Sequence, residues 1–200
     1  MVLYVTDVAA WGAVDGRLRA QIEARCSPAR VARAGAMARQ QDALGVLAAG
    51  LLLRHTLGCT DDALCRSAQG KPYLPGGPEF SLTHGGTLAA VLVADGPCGV
   101  DAEALSRRVE HPERLFSPQE LATGLSPAAL WTRKEALFKA DGRGLALFRA
   151  DADVSGPTAC LGGRPYFLTT QFFGVHAVSC AAGAAAAAPL ALCLQTLLEL

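Results

Sequence analysis

The chain has 200 residues, 51% apolar and 18% charged, with 18 basic and 18 acidic side chains in balance. That length suits one domain or two small halves, and the apolar share excludes a disordered chain. Zero formal charge excludes broad electrostatic attraction to nucleic acid or anionic lipid, so a bound anion must be held by a local cluster.

Met1–Val5 reads as a first strand. The N-terminus lacks the basic start and sustained apolar core of a secretory signal. The apolar runs Leu44–Leu53 and Cys180–Leu198 are not membrane spans: Arg54 and His55 close the first, and Gly183, Pro189 and Gln195 interrupt the second. Seven cysteines (26, 59, 65, 98, 160, 180 and 193) include no C-x-x-C pair, and read as reduced core thiols of a cytoplasmic protein.

Ser27-Pro28 has the form of a helix start, and the spacing predicts one helix to Leu57 that stops at Gly58, weakened by Gly35, Gly45 and Gly50. GKPYLPGGP at 70–78 is a loop. Phe80–Thr83, Leu88–Ala94 and Gly99–Asp101 read as strands. Ser117-Pro118-Gln119-Glu120 has the form of a capping box, and Ser126-Pro127 opens a helix that Gly142 closes. Strands return at Tyr166–Thr170 and Val175–Cys180. The class is therefore α+β. Residues 78–96 echo residues 165–183, with seven of nineteen positions identical. The echo suggests two similar α+β halves, 1–97 and 98–200, with a ligand cleft between them.

Fifteen arginines face only three lysines, and these are confined to two short segments: Lys71, Lys134 and Lys139. Such usage suggests that ammonium geometry matters at those places. On the helix from Pro127, Leu130, Trp131, Leu137 and Phe138 share one face, and Thr132, Arg133, Ala136 and Ala140 the other. Lys134 falls within the apolar arc, so its ammonium must reach a carboxylate, a carbonyl or a bound anion. Replacing it by Met is then expected to cost at most ~1–2 kcal/mol. Trp131, Glu135 and Lys139 rise in i, i+4 steps along one stripe.

Asp101 and Glu103 stand two apart at a strand end, on one face, where two carboxylates suit a hard cation such as Mg²⁺. Glu135 is a chemically sensible third ligand. Thr83-His84-Gly85-Gly86 either offers donors to a phosphate or is a plain hairpin turn. His55, His111 and His176 read as structural or solvent-facing.

Taken in order, G-K-P at 70–72, F-S-L-T-H-G at 80–85, G-V-D-A-E at 99–103 and W-T-R-K-E-A-L-F-K-A-D-G-R-G-L at 131–145 resemble the motifs of 4′-phosphopantetheinyl transferases. The closest type is the monomeric, two-half class that activates peptide and polyketide synthases. The resemblance implies that the chain transfers phosphopantetheine from coenzyme A to a serine of an apo carrier protein, releasing 3′,5′-ADP. It implies that Asp101, Glu103 and Glu135 hold Mg²⁺, with Glu135 taking the serine proton. Lys139 would neutralise phosphate, Lys71 would contact the nucleotide's phosphate end, and Thr83 and His84 would bind the 3′-phosphate. Arg30 and Arg33 fall where the family places basic residues for that phosphate. Thr83 and Gly85 each replace a usual serine, and a common asparagine near Ser81 is missing. The alternative reading is a non-catalytic coenzyme A- or nucleotide-binding relative.

Overall fold

The computed structural model describes residues 1–142, 152–184 and 189–199. The chain runs β1 (Val2–Asp7), a 3-10 turn (Val8–Trp11), α1 (Gly16–Glu23), α2 (Pro28–Gly35), α3 (Gln40–Leu57) and a second 3-10 turn (Asp61–Ala63). Then come β2 (Cys65–Arg66), β3 (Pro72–Tyr73), β4 (Glu79–Gly85) and β5 (Leu88–Ala94). They are followed by β6 (Cys98–Ala104), α4 (Pro112–Leu115), α5 (Pro118–Leu121) and α6 (Pro127–Asp141). β7 (Thr158–Leu161), β8 (Arg164–Phe173), β9 (His176–Ala182), β10 (Leu190–Ala191) and α7 (Leu194–Leu198) complete the order.

Two four-stranded sheets have the orders β10-β1-β5-β4 and β6-β9-β8-β7, beside a small β2-β3 ladder. In the first, α3 lies in sequence between β1 and the β4-β5 hairpin; in the second, α6 lies between β6 and the β8-β9 hairpin. The same strand–helix–hairpin order therefore occurs twice. The turns are Gly86-Thr87 and Gly174-Val175, and both glycines have positive φ. Matching turn on turn displaces the sequence echo by one residue, a slip that exchanges the two faces of a strand. The residues at the end of the chain return to the first sheet: β10 pairs parallel with β1, and Leu194 and Leu197 join the core around α3.

The sheets pack face to face. Leu3, Val5, Leu88, Ala90 and Leu92 of the first meet Val100, Ala102, Val178, Cys180 and Ala182 of the second. Outside them, α3 covers Ala89 and Val91 of β5, while α6 covers Tyr166, Leu168 and Ala181 of β8 and β9. β5 and β9 are buried on both faces, which explains why they read as nearly continuous apolar runs rather than alternating ones. Leu44–Leu53 is likewise a core segment, buried throughout. No helix among the described residues is long and apolar enough to cross a membrane.

Several expectations need correction. The helix expected from Ser27 to Leu57 is two helices, because the chain turns between Gly35 and Gln40 and folds α2 back onto α3. Ser27 caps α2 by accepting from the Arg30 amide. The expected division of α6 into an apolar face and its opposite also fails. Thr132, Arg133, Ala136 and Ala140 are buried as well, since α6 is enclosed by the second sheet on one side and by the segments around Phe116 and Ala152 on the other. Its start at Ser126 and its stop at Gly142, with φ of +79°, are as expected, as is the capping box of Ser117 and Glu120. All seven cysteines are free, but only Cys98 and Cys180 are buried. Arg143, Gly144 and Leu145 of the last motif lie outside the described residues.

Candidate active site

Two glycines set the distances. On β6, Val100 and Ala102 face the other sheet, so Gly99, Asp101 and Glu103 face α6. A Cβ on Gly99 would lie 2.0 Å from the Ala136 carbonyl oxygen and 2.5 Å from the Ala140 nitrogen, so only glycine lets the α6 backbone rest on β6. That contact brings the stripe of Glu135 and Lys139 up to Asp101. At the other edge of β6, a Cβ on Gly85 would lie 1.9 Å from the Ala102 carbonyl oxygen. This approach of β4 to β6 thus requires glycine at position 85.

Lys139 Nζ donates to Asp101 Oδ1 at 2.6 Å and to the Val100 carbonyl at 3.2 Å. The buried Thr83 hydroxyl donates to the same Oδ1 at 3.0 Å. Ser81 Oγ accepts from the Val100 amide at 3.1 Å, a side-chain rung joining the facing edges of the two sheets. The second carboxylate oxygen of Asp101, Oδ2, is buried with no hydrogen-bond partner. Glu135 is only 6% exposed. Burial, and then the Asp101 carboxylate, push its pKa up to about 7, against the pull of Lys139 and Arg107. Glu103 pairs with Arg107, whose guanidinium lies 4.5 Å over the Trp131 ring.

Glu135 and Lys139 line a cavity of about 320 Å³ together with Gln69, Lys71, Phe80 and Phe138. Pro72 and Leu82 are shared with an adjoining cavity of about 230 Å³, whose polar lining is Arg30, Arg33, Asp61 and Arg66. His84 is half-buried, and its pKa is lowered by burial and by the charges of Arg33, Arg30 and Lys139.

The fold brings Asp101, Thr83, Glu135 and Lys139 together. Lys71 lines the Glu135 cavity, with Nζ on the Cys98 carbonyl at 3.1 Å and near Glu79; it is not part of the lining of the arginine cavity. Arg30 points into a carboxylate, that of Asp61. Lys134 does reach an internal acid, and it is Glu120 at 3.0 Å, both side chains having no exposure. Among the described residues, no three histidine, cysteine or acidic side chains stand close enough to form a ready cation site. The donor set nonetheless suits Mg²⁺, since it offers carboxylate oxygens alone and Asp101 Oδ2 has a free lone pair. The sequence reading missed Ser81, Asp61, Arg107 and the Glu120 partner; only Arg107, four residues after Glu103, carries a local signal.

Residues 97–188 match the sequence model of the 4′-phosphopantetheinyl transferase superfamily. A relative from Bacillus subtilis, a 4′-phosphopantetheinyl transferase, is 31% identical over 90 residues, covering 39% of this chain and 40% of its own. The match thus spans well under half of that relative. Asp101, Glu103, Glu135 and Lys139 lie inside the matched family segment; Arg30, Arg33, Lys71, Thr83 and His84 precede it.

Proposed function

We propose, from the match of residues 97–188 to the 4′-phosphopantetheinyl transferase superfamily, that the chain is such a transferase and moves phosphopantetheine from coenzyme A to a serine of an apo acyl or peptidyl carrier protein. The observation that carries this reading is the meeting of Asp101, Glu135 and Lys139 at a cavity that adjoins an arginine-lined one. We read the chain as two halves, 1–97 and 98–200, the second returning residues 190–198 to the first sheet, with coenzyme A in the cleft between their facing edges; the repeated strand–helix–hairpin order supports this. A monomeric, cytoplasmic protein fits the same reading.

In the proposed reaction the serine Oγ attacks the β-phosphorus of coenzyme A, the bond from that phosphorus to the bridging oxygen breaks, and 3′,5′-ADP leaves. Glu135 accepts the serine proton, directly or through water. In the metal-free protein burial and Asp101 push its pKa up to about 7; beside a bound Mg²⁺ it would be lower, which keeps the carboxylate ionised to accept the proton. Lys139 supplies an ammonium to the phosphate oxygens on which negative charge spreads, an interaction strengthened where water is excluded. Thr83 holds Asp101 in place. Asp101, Glu103 and Glu135 would hold Mg²⁺, which when bound would polarise the pyrophosphate. His84 and Arg33 would meet the 3′-phosphate.

The test compares wild type with Glu135→Gln under saturating coenzyme A, Mg²⁺ and apo carrier protein. Turnover should fall by on the order of 10²–10⁴-fold in the variant. Near-normal turnover would remove Glu135 from the mechanism.

A further inference from the structure

The resemblance implies that Arg30 binds phosphate, but the fold has built a different place for it. The Arg30 side chain is 7% exposed, and each of its three nitrogens has an acceptor. Nε donates to Asp61 Oδ2 at 2.7 Å, Nη2 to Asp61 Oδ1 at 2.5 Å, and Nη1 to the Val46 carbonyl at 2.9 Å. Ser27 Oγ donates to Asp61 Oδ2 at 3.0 Å, tying the α2 cap to the same carboxylate. The slot depends on Gly50 of α3: a Cβ there would lie 2.4 Å from Arg30 Cδ and 3.0 Å from Cys26 Sγ. The pair nevertheless lines the arginine cavity. Arg33, also on that cavity, has no carboxylate partner among the described residues.

We propose that Asp61 is a specificity-determining residue. By taking up the Arg30 charge in a bidentate pair, it reduces the weight that this cavity gives to a terminal phosphate monoester. The discrimination that remains comes from the other arginines of the cavity, Arg33 and Arg66, and from His84. The inference rests on the transferase reading, in which that monoester is the 3′-phosphate of coenzyme A. A fork-to-fork arginine–carboxylate pair is nearly neutral seen from outside, whereas a lone guanidinium at the same place is a full charge. Asparagine at position 61 keeps the shape and one acceptor oxygen while removing the neutralising charge.

Isothermal titration of wild type, Asp61→Asn and the double variant Arg30→Met/Asp61→Asn, each with coenzyme A and with dephospho-coenzyme A, tests this. Asp61→Asn should raise the preference for coenzyme A by about fivefold or more, as one added charge at hydrogen-bond range would. The double variant removes both charges, so it leaves no buried ion unpaired if the single variant proves unstable. Its preference should match wild type within about twofold, because Arg30 was contributing nothing to it. An unchanged or lowered preference in Asp61→Asn, or a preference in the double variant far below wild type, overturns the inference alone. Wild-type protein that binds neither ligand overturns the transferase reading and the inference with it.

Discussion

Glu135 is held in a state that a surface carboxylate would not tolerate. Its pKa of about 7 stands above the ordinary value of 4.5, so the folded protein binds a proton there that the unfolded chain has released. Stability from this group is full below the unfolded value and is lost as the pH rises through about 7. Glu135→Gln removes that titration. The variant should melt near wild type at pH 5 and above it at pH 8, by up to about 3 kcal/mol, while losing turnover. A gap in melting temperature that does not widen with pH would show that the carboxyl is not so perturbed. Lys134 behaves differently. Its partner Glu120 is fully buried and also accepts from the Ser117 and Val154 amides, so Lys134→Met leaves that carboxylate without its cation. The cost should be about 3–5 kcal/mol, well above the sequence-based expectation, and a matched Glu120→Gln change should recover part of it. Chemical denaturation of the single and double variants measures both. A loss under 1–2 kcal/mol for Lys134→Met alone would favour the earlier figure.

Glycines that count as flaws in helix and strand propensity turn out to place the elements. Within α3, a Cβ on Gly45 would meet the Gly86 carbonyl and His84 at an ordinary 3.7 Å, whereas a Cβ on Gly50 would collide with Arg30. Gly45→Ala should therefore hold or gain stability, by about 0.5–1 kcal/mol, and Gly50→Ala should lose it. On β6, Gly99→Ala must push α6 away, carrying Glu135 and Lys139 from Asp101. It should lower both melting temperature and turnover, and unaltered turnover would show that the α6–β6 approach does not set the site. Much of the element pattern was legible: caps and proline marked the ends of α6, and glycine turns marked the hairpins. The break between α2 and α3 was not, because helix propensity across Ala36–Arg39 is adequate and the turn is imposed by packing Arg30 across Gly50. The expected two-faced α6 failed for a related reason. Periodicity reports one covered side, and this helix is covered on both. At the proposed site, spacing and motif together singled out Asp101, Glu135 and Lys139, which the fold brings together. Asp61 was not, since only the fold of α2 onto α3 brings it to Arg30.

At the scale of the whole molecule, two sheets packed face to face present β4 and β6 edge to edge, joined by Ser81 and closed up by Gly85. The proposed site lies along that seam, drawing Thr83 and His84 from one strand, Asp101 and Glu103 from the other, and Glu135 and Lys139 from the helix behind. Its zero net charge leaves no long-range field, so binding of a polyanion depends on local cations at the seam. Coenzyme A affinity should accordingly fall when His84 or Arg33 is replaced by alanine, and more for coenzyme A than for dephospho-coenzyme A. Equal losses for the two ligands would place the 3′-phosphate elsewhere. The central claim is tested most directly by intact-mass spectrometry of an apo carrier protein incubated with this protein, coenzyme A and Mg²⁺. The account predicts a mass gain of one phosphopantetheine on the carrier serine, dependent on Mg²⁺ and slowed by on the order of 10²–10⁴-fold with Glu135→Gln. A carrier of unchanged mass, with coenzyme A bound but intact, would contradict it.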